Sequence, residues 1–354
     1  MMNQPLRRNL GLDLVRVTES TAILAARWMG LGKRIAADQT ATETMFHALN
    51  DIDMNGYIVV GEEAKSGRHS LLDSGKAIGN GAGPEMDVVL DPIDGTKLLV
   101  HGRSGAISTV AVAPRGAMWS PFPAAYLEKL VVDREVAHAL VKEALDAPAA
   151  WTLAMIARIK KKTIRDLVVF VLDRPRHQDL IEEIRMAGAR VALRRDGDIT
   201  GGILAAIPNS GIDVLMGVGG AAEGIMATCA VKALHGAMLT RLTPQSEAEH
   251  QRVLAAGLDL SRIMNQDEII TSDQVFFAAT GVTDGMLLDG VHYAGGFAMT
   301  HSIVLRAKTG TRRMIRAERL LEDLFDEEPS YRHPNPDSLS PFEENASDAD
   351  NHPG

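Results

Sequence analysis

The chain has 354 residues, 45% hydrophobic and 23% charged, a soluble globular balance with room for two ordinary domains or one large one. Its formal net charge of −9 weighs against broad electrostatic attraction to nucleic acid or to an anionic membrane surface. A single cysteine, Cys229, excludes an internal disulfide, suits a reducing compartment and reads as a small buried apolar residue.

In chain order, residues 1–10 lack the apolar run of a signal peptide, and no stretch is long and apolar enough to span a bilayer. A cytoplasmic protein without membrane or nucleic-acid partners is expected. Leu10 to Met29 reads as an amphipathic helix, with Leu14, Val17, Ala22, Leu24 and Ala25 near helical spacing. Asp38 to Ile52 reads as a second, with Asp38 placed to cap it. Gly56 to Gly61 and Asp87 to Leu90 read as strands, the latter running into the turn sequence Asp91-Pro92-Ile93-Asp94-Gly95-Thr96. Gly105 to Ala113 is β-rich, and Tyr126 to Val141 reads as helical. The basic run Lys160 to Arg165 marks a domain junction. Beyond it strands at 167–172, 190–193 and 212–218 alternate with helices at 178–187, 199–207 and 222–234, the pattern of an α/β layer architecture. Late strands are expected at 275–279 and 299–306. From Asp326 the chain is rich in Pro, Asp, Glu, Ser and Asn, and a disordered acidic tail is expected over 326–354.

The chemistry concentrates in the Asp91 to Thr96 turn. A strand delivers Asp91, Pro92 stiffens the turn, and Asp94 is brought back towards Asp91. Gly95 allows close approach to the backbone, and Thr96 offers a hydroxyl. Two carboxylates so spaced can share hard cations such as Mg²⁺ or Mn²⁺. Alone, this reads as a plain Asp-rich turn. Glu62 at the exit of an earlier strand, Asp38, and Glu223 after the glycine-rich Gly217 to Gly220 turn make it an ordered set. Asp38 and Glu223 have plain structural roles too, as helix cap and helix-dipole partner. Crowded carboxylates repel unless cations neutralise them, so the set implies metal. Two metals can clamp a phosphoryl group and acidify a bound water.

At these residues the sequence resembles class II fructose-1,6-bisphosphatase, from about Arg8 to Glu318. The resemblance is carried by Arg16-Val17-Thr18-Glu19-Ser20, Ala36-Ala37-Asp38, Gly61-Glu62, Asp91 to Thr96, Tyr126-Leu127-Glu128-Lys129-Leu130, Arg174-Pro175-Arg176-His177, Asp196-Gly197-Asp198, Gly219 to Gly224 and Ala279-Thr280-Gly281. It implies a layered α-β-α-β-α sandwich of two α/β domains. The first, 1–160, would bind metal, with strands from about 285–325 joining it; the second, 161–284, would carry substrate loops. It also implies Mn²⁺ or Mg²⁺, two or more ions per site. Asp38 and Glu62 would hold one, and Asp91, Asp94 and Glu223 a second. Thr96 would position the attacking water, with Asp38 or Glu62 polarising it. Asp94, Gly95, Thr96, Tyr126, Arg174, Pro175, Arg176, Asp196, Gly197, Asp198 and Gly220 would bind the sugar bisphosphate. A homo-oligomer serving gluconeogenesis or related carbon metabolism is expected.

The sequence departs from the family in carrying Asp94 where Glu is common and Arg174 where Lys is common. It also has Gly-Glu-Glu-Ala at 61–64 for Gly-Glu-Gly-Glu, and a shorter segment between Arg241 and Gly257. Fructose 1,6-bisphosphate is the expected substrate, attacked in line by water without a phospho-enzyme. Sedoheptulose 1,7-bisphosphate, an inositol phosphate, or non-catalytic sensing of a sugar phosphate are the alternatives. The paired arginines weigh against a monophosphate, and the carboxylate set against a sensor.

Overall fold

A computed structural model describes residues 9–61 and 70–321. Glu62 and the acidic segment 326–354 lie outside the described residues. The described strands are Asn55–Val60 (β1), Ala77–Ile78 (β2), Glu85–Asp94 (β3), Ile107–Pro114 (β4), Tyr126–Val132 (β5), Val168–Leu172 (β6), Arg190–Arg194 (β7), Val214–Gly220 (β8), Ala237–Leu242 (β9), Met264–Asn265 (β10), Phe276–Gly281 (β11), His292–Ala294 (β12), Phe297–Arg306 (β13) and Thr311–Leu320 (β14). The helices are Leu10–Ala26 (α1), Arg34–Asn50 (α2), Thr96–Val100 (α3), Ala149–Lys160 (α4), Gln178–Met186 (α5), Asp198–Ala206 (α6), Ala221–Ala233 (α7), Glu247–Ala255 (α8) and Gln266–Ile269 (α9).

Two mixed sheets result. The first runs β12-β13-β11-β4-β3-β1-β2, with β14 also on β13; the second runs β10-β9-β5-β8-β6-β7. Strands from 55–114 and 276–320 build the first, and strands from 126–265 the second, so the chain changes sheet between Pro114 and Tyr126.

Because side chains alternate across a strand, each sheet has two faces to cover. Val88, Leu90, Val110 and Val112 pack with Leu14 and Val17 of α1 and Met45 and Leu49 of α2. Val89, Ala111 and Ala113 turn the other way, onto Ile199 and Ile203 of α6 and Ile225 and Ala230 of α7. The second sheet repeats this. Val131, Phe170 and Leu215 face Leu204 and Val231 of those same helices. Leu130, Val132, Val169 and Val214 face Leu153 and Ile156 of α4 and Ile181 and Ile184 of α5. The layers are therefore α1/α2, first sheet, α6/α7, second sheet, α4/α5: the expected α-β-α-β-α sandwich.

The middle layer is thin because its residues are small. A Cβ on Gly201 would stand 2.5 Å from Cε1 of Phe170, and one on Gly202 would stand 3.1 Å from Cβ of Ala227. Cys229 lies in this layer, fully buried. Burial pushes its thiol up to about 12, so it packs as an apolar residue.

Several segments differ from expectation: residues 91–94 and 217–220, read as turns, are the last residues of β3 and β8, because each is paired with a neighbouring strand. The segment from Tyr126 is a strand, not a helix, as far as Val132, and short 3-10 turns follow at 137–139 and 142–145. The reason is tertiary: β5 hydrogen-bonds to β8 on one side and β9 on the other, and central pairing overrides a helical spacing of Leu127, Leu130 and Val131. The second helix begins at Arg34, with Lys33 at its N-cap position, so Asp38 lies in its second turn and does not cap it.

The basic run at the expected junction is held by buried acids. Lys160 donates to Asp133 at 2.6 Å and to Asp213 at 3.1 Å, and Lys162 donates to Asp213 at 2.6 Å. The side chains of Lys160, Asp133 and Asp213 are no more than 4% exposed. Burial works to discharge Lys160, but hydrogen bonds and charges from Asp133 and Asp213 outweigh it and raise its pKa above 10.5. Burial also opposes the Asp213 carboxylate, yet Lys162, the Val168 N–H and Lys160 hold its pKa below 3.8. Its depressed pKa contributes stability above 3.8 that is lost as the pH falls through the folded value. Lys160 contributes stability below 10.5 that is lost as the pH rises through its raised value. Removing one partner of such a buried group costs about 3–5 kcal/mol. Asp213→Ala should therefore lower the unfolding free energy by about that much in urea titrations. The difference from the parent chain should be flat from about pH 5 to 10 and shrink outside that window.

Candidate active site

At the end of β3 the ladder with β4 shifts register between Asp91 and Asp94. Gly95 follows with φ +94, a left-handed conformation open to glycine, and starts the short helix α3. This turn aims the Thr96 hydroxyl at α2, where it donates to Oδ1 of Asp38 at 2.7 Å. The other oxygen of Asp38 lies 3.6 Å from Nε of Arg34, one helical turn back. Asp91 and Asp94 are buried, 2% and 6% exposed.

The second sheet supplies the facing elements. After β6 the chain reaches Arg174 and the turn 175–177; after β7 it reaches Asp196 and Asp198; β8 passes directly into α7, with Glu223 in the first turn. Gly197, φ +94, stands at the N-cap of α6, and Gly220 at the N-cap of α7. The starts of α6 and α7 thus open on one place, where the partial positive charge of helix N-termini favours anions.

That place is a cleft of about 450 Å³ between the two sheets. Of the predicted site residues, Asp94, Gly95, Thr96, Tyr126, Arg174, Arg176, Asp196, Gly197, Asp198, Gly220 and Glu223 line it. Asp38 joins it through Thr96. Asp91 and Pro175 are not on its wall. Glu62 lies outside the described residues, just beyond Gly61, which is on the wall.

Several polar groups are already engaged within the protein. Arg174 donates to Oδ1 of Asp196 at 2.6 Å. Arg176 donates to the Val218 carbonyl at 2.9 and 3.2 Å, and its guanidinium lies 5.1 Å from the centre of the Tyr126 ring, a cation–π contact. Burial lowers the Arg176 pKa, and the Tyr126 hydroxyl and Asp198 act against it. His177 stands at the N-cap position of α5, but its side chain makes no capping hydrogen bond and does not line the cleft. Its Nδ1 lies 2.7 Å from the Leu172 carbonyl, and the Val218 N–H donates to Nε2 at 2.8 Å, so the ring carries its proton on Nδ1. Burial, aided by Arg176, lowers its pKa and keeps it neutral, a strut between the ends of β6 and β8.

Lys129 escaped the sequence reading. It is 2% exposed and pairs with Asp198 behind the cleft wall. Its signal was a charged residue between Leu127 and Val131 on the buried face of a strand, hidden once that segment was read as a helix. Arg34 and Lys97 also line the cleft; each sits beside a predicted residue, and nothing in their own context singled them out.

The predicted metal ligands are all carboxylates, hard oxygen donors suited to Mg²⁺ or Mn²⁺. Among the described residues no three His, Cys, Asp or Glu side chains converge closely enough to make a ready metal-ligating group. The donor chemistry fits such a cation, and the described geometry does not assemble the full set, in which Glu62 was expected.

Residues 8–319 match the family model described as bacterial fructose-1,6-bisphosphatase, glpX-encoded. The chain is similar to the class 2 fructose-1,6-bisphosphatase of Haemophilus influenzae, 36% identical over 333 residues that cover 90% of this chain and 98% of that protein. It is also similar to fructose-1,6-bisphosphatase 1 class 2 of Escherichia coli K12, 33% identical over 330 residues that cover 90% and 97%.

A Cβ on Gly220 would fall 1.9 Å from Oε2 of Glu223, the mobile end of that side chain. Gly220→Ala should displace the Glu223 carboxylate at little cost in stability. The expected outcome is a raised divalent-cation concentration for half-maximal phosphate release, with a melting temperature close to that of the parent chain. An unchanged cation requirement would remove Glu223 from the ligand set.

Proposed function

The chain belongs to the bacterial glpX-encoded fructose-1,6-bisphosphatase family, and from that premise we propose that its inter-sheet cleft is where fructose 1,6-bisphosphate is hydrolysed to fructose 6-phosphate and phosphate. The chain is a phosphoric monoester hydrolase of a metal-dependent family. The observation that carries the site is the Thr96–Asp38 hydrogen bond on the same cleft as Arg174, Arg176 and two helix N-termini.

The residues divide the work as follows. With its O–H donated in a hydrogen bond to Asp38, the Thr96 oxygen can accept a hydrogen bond from a water and turn that water's lone pair towards a phosphorus atom. Asp38 fixes the threonine rotamer, which sets the line of attack. Asp38, Asp91, Asp94 and Glu223, with Glu62, would hold two or more Mn²⁺ or Mg²⁺ ions. When bound, such cations supply positive charge to the phosphoryl oxygens and lower the pKa of the attacking water. Arg176, stacked on Tyr126, and Arg174 give fixed charge to the phosphate that is not cleaved. The backbone of the α6 and α7 starts adds N–H donors. Cytoplasmic location and a homo-oligomer belong to this proposal through the sequence resemblance.

Three outcomes test it. Purified protein should release phosphate from fructose 1,6-bisphosphate only with Mn²⁺ or Mg²⁺, while inositol 1-phosphate gives little and sedoheptulose 1,7-bisphosphate reports how wide the site is. Release from inositol 1-phosphate alone would keep the metal chemistry and sink the bisphosphate reading. Thr96→Ala should lower kcat about a hundredfold with little change in KM, and Arg176→Ala should raise KM for the bisphosphate. Near-normal turnover in the threonine variant would end its water-positioning role.

A further inference from the structure

The geometry points to Lys129 as a positioning residue for the substrate: its buried charge holds Asp198 on the cleft wall and cancels that carboxylate's charge where a phosphorylated sugar binds. The inference rests on the reading of the cleft given above.

Lys129 lies in the middle of β5, in register with Gly217 of β8 and Thr240 of β9. It shares a strand face with Leu127 and Val131 and points into the middle layer. Its ammonium donates to Oδ2 of Asp198, its ion-pair partner among the described residues. Asp198 in turn lines the cleft and opens α6.

The surroundings are shaped to this pair. A Cβ on Gly219 would fall 2.0 Å from Oδ2 of Asp198 and 2.6 Å from Nζ of Lys129. A Cβ on Gly224 would meet Cδ1 of Leu127 at 2.8 Å and Cδ of Lys129 at 3.5 Å. Glycine on the neighbouring strand and in the first turns of the neighbouring helix leaves a slot for one long side chain and one carboxylate.

Stability does not account for such a pair. Apolar side chains of similar volume usually serve a core as well or better, because taking two charges out of water is costly. The location does account for it. Among the described residues four acids line the cleft: Asp94, Asp196, Asp198 and Glu223. Arg174 engages Asp196, while Arg176 donates to Val218, with Asp198 acting on it at longer range. His177 is neutral. Without Lys129, Asp198 would present an uncompensated charge to an incoming phosphate and would lose the contact that fixes its orientation.

The test is steady-state kinetics with fructose 1,6-bisphosphate on Lys129→Met, Asp198→Asn and the double variant, with Arg176→Ala as a control. Lys129→Met should raise KM about tenfold and leave kcat within about threefold. The double variant should return to the KM of Asp198→Asn, because a neutral amide no longer needs the lysine. Additive effects, or a lowered melting temperature with unchanged KM, would overturn the inference. Should Lys129→Met fail to fold, Asp198→Asn against the double variant decides: equal KM supports the role, and a further rise in the double variant refutes it. If Arg176→Ala raises KM and Lys129→Met does not, Lys129 fails and the cleft stands. If neither moves KM, the cleft reading fails and takes the inference with it.

Discussion

How closely two helices can lie between two sheets sets the position of everything in the cleft. An added Cβ would clash with Phe170 at Gly201 and crowd Ala227 at Gly202. Close-packed interiors transmit such constraints rather than absorb them. A larger side chain at 201 would push on β6, and β6 ends two residues before Arg174. The spacing of α6 and α7 likewise fixes where Asp198 and Glu223 begin their helices. The small residues of the middle layer therefore act on chemistry they never touch.

A second constraint is charge. The chain carries −9 overall, yet the described cleft wall holds four acids and four cations, Arg34, Lys97, Arg174 and Arg176, with Lys129 behind. On the described wall itself the acids and cations balance, while Asp38, tied to that wall through Thr96, adds a carboxylate that the proposed cations would offset. Balance is kept by specific pairing, Arg174 with Asp196 and Lys129 with Asp198, in place of solvent screening. The same device recurs at the far side of the second sheet, where Asp133 and Asp213 hold Lys160 and Lys162. There it fastens a helix end to strand ends, off the wall of the inter-sheet cleft. Buried charges in this fold thus serve two purposes that only location separates.

Much of the protein was legible from sequence, for local reasons. Strand-helix alternation in the second half named the layers, because a period of two or of 3.6 is written in consecutive residues. The Asp91 to Thr96 turn carries its geometry within six residues. The ordered motifs were enough for the family, and the residues they nominated fall largely on one cleft. Asp91 and Pro175 do not line it.

Other matters were settled in space alone. Leu127, Leu130 and Val131 suit a helix or a strand equally well, and pairing with β8 and β9 chose the strand, which turned Lys129 inward. The partner of Arg174 lies 22 residues away, and that of Arg176 lies 42 residues away. Those partners, the neutral His177 strut and the glycine slot around Lys129 depend on which strands become neighbours. The sequence by itself determined the fold class, the family and the reaction, since each is encoded by local pattern and ordered motif. The tertiary structure alone decided which charges are committed to one another and which face the cleft, because that depends on distances between residues far apart in the chain.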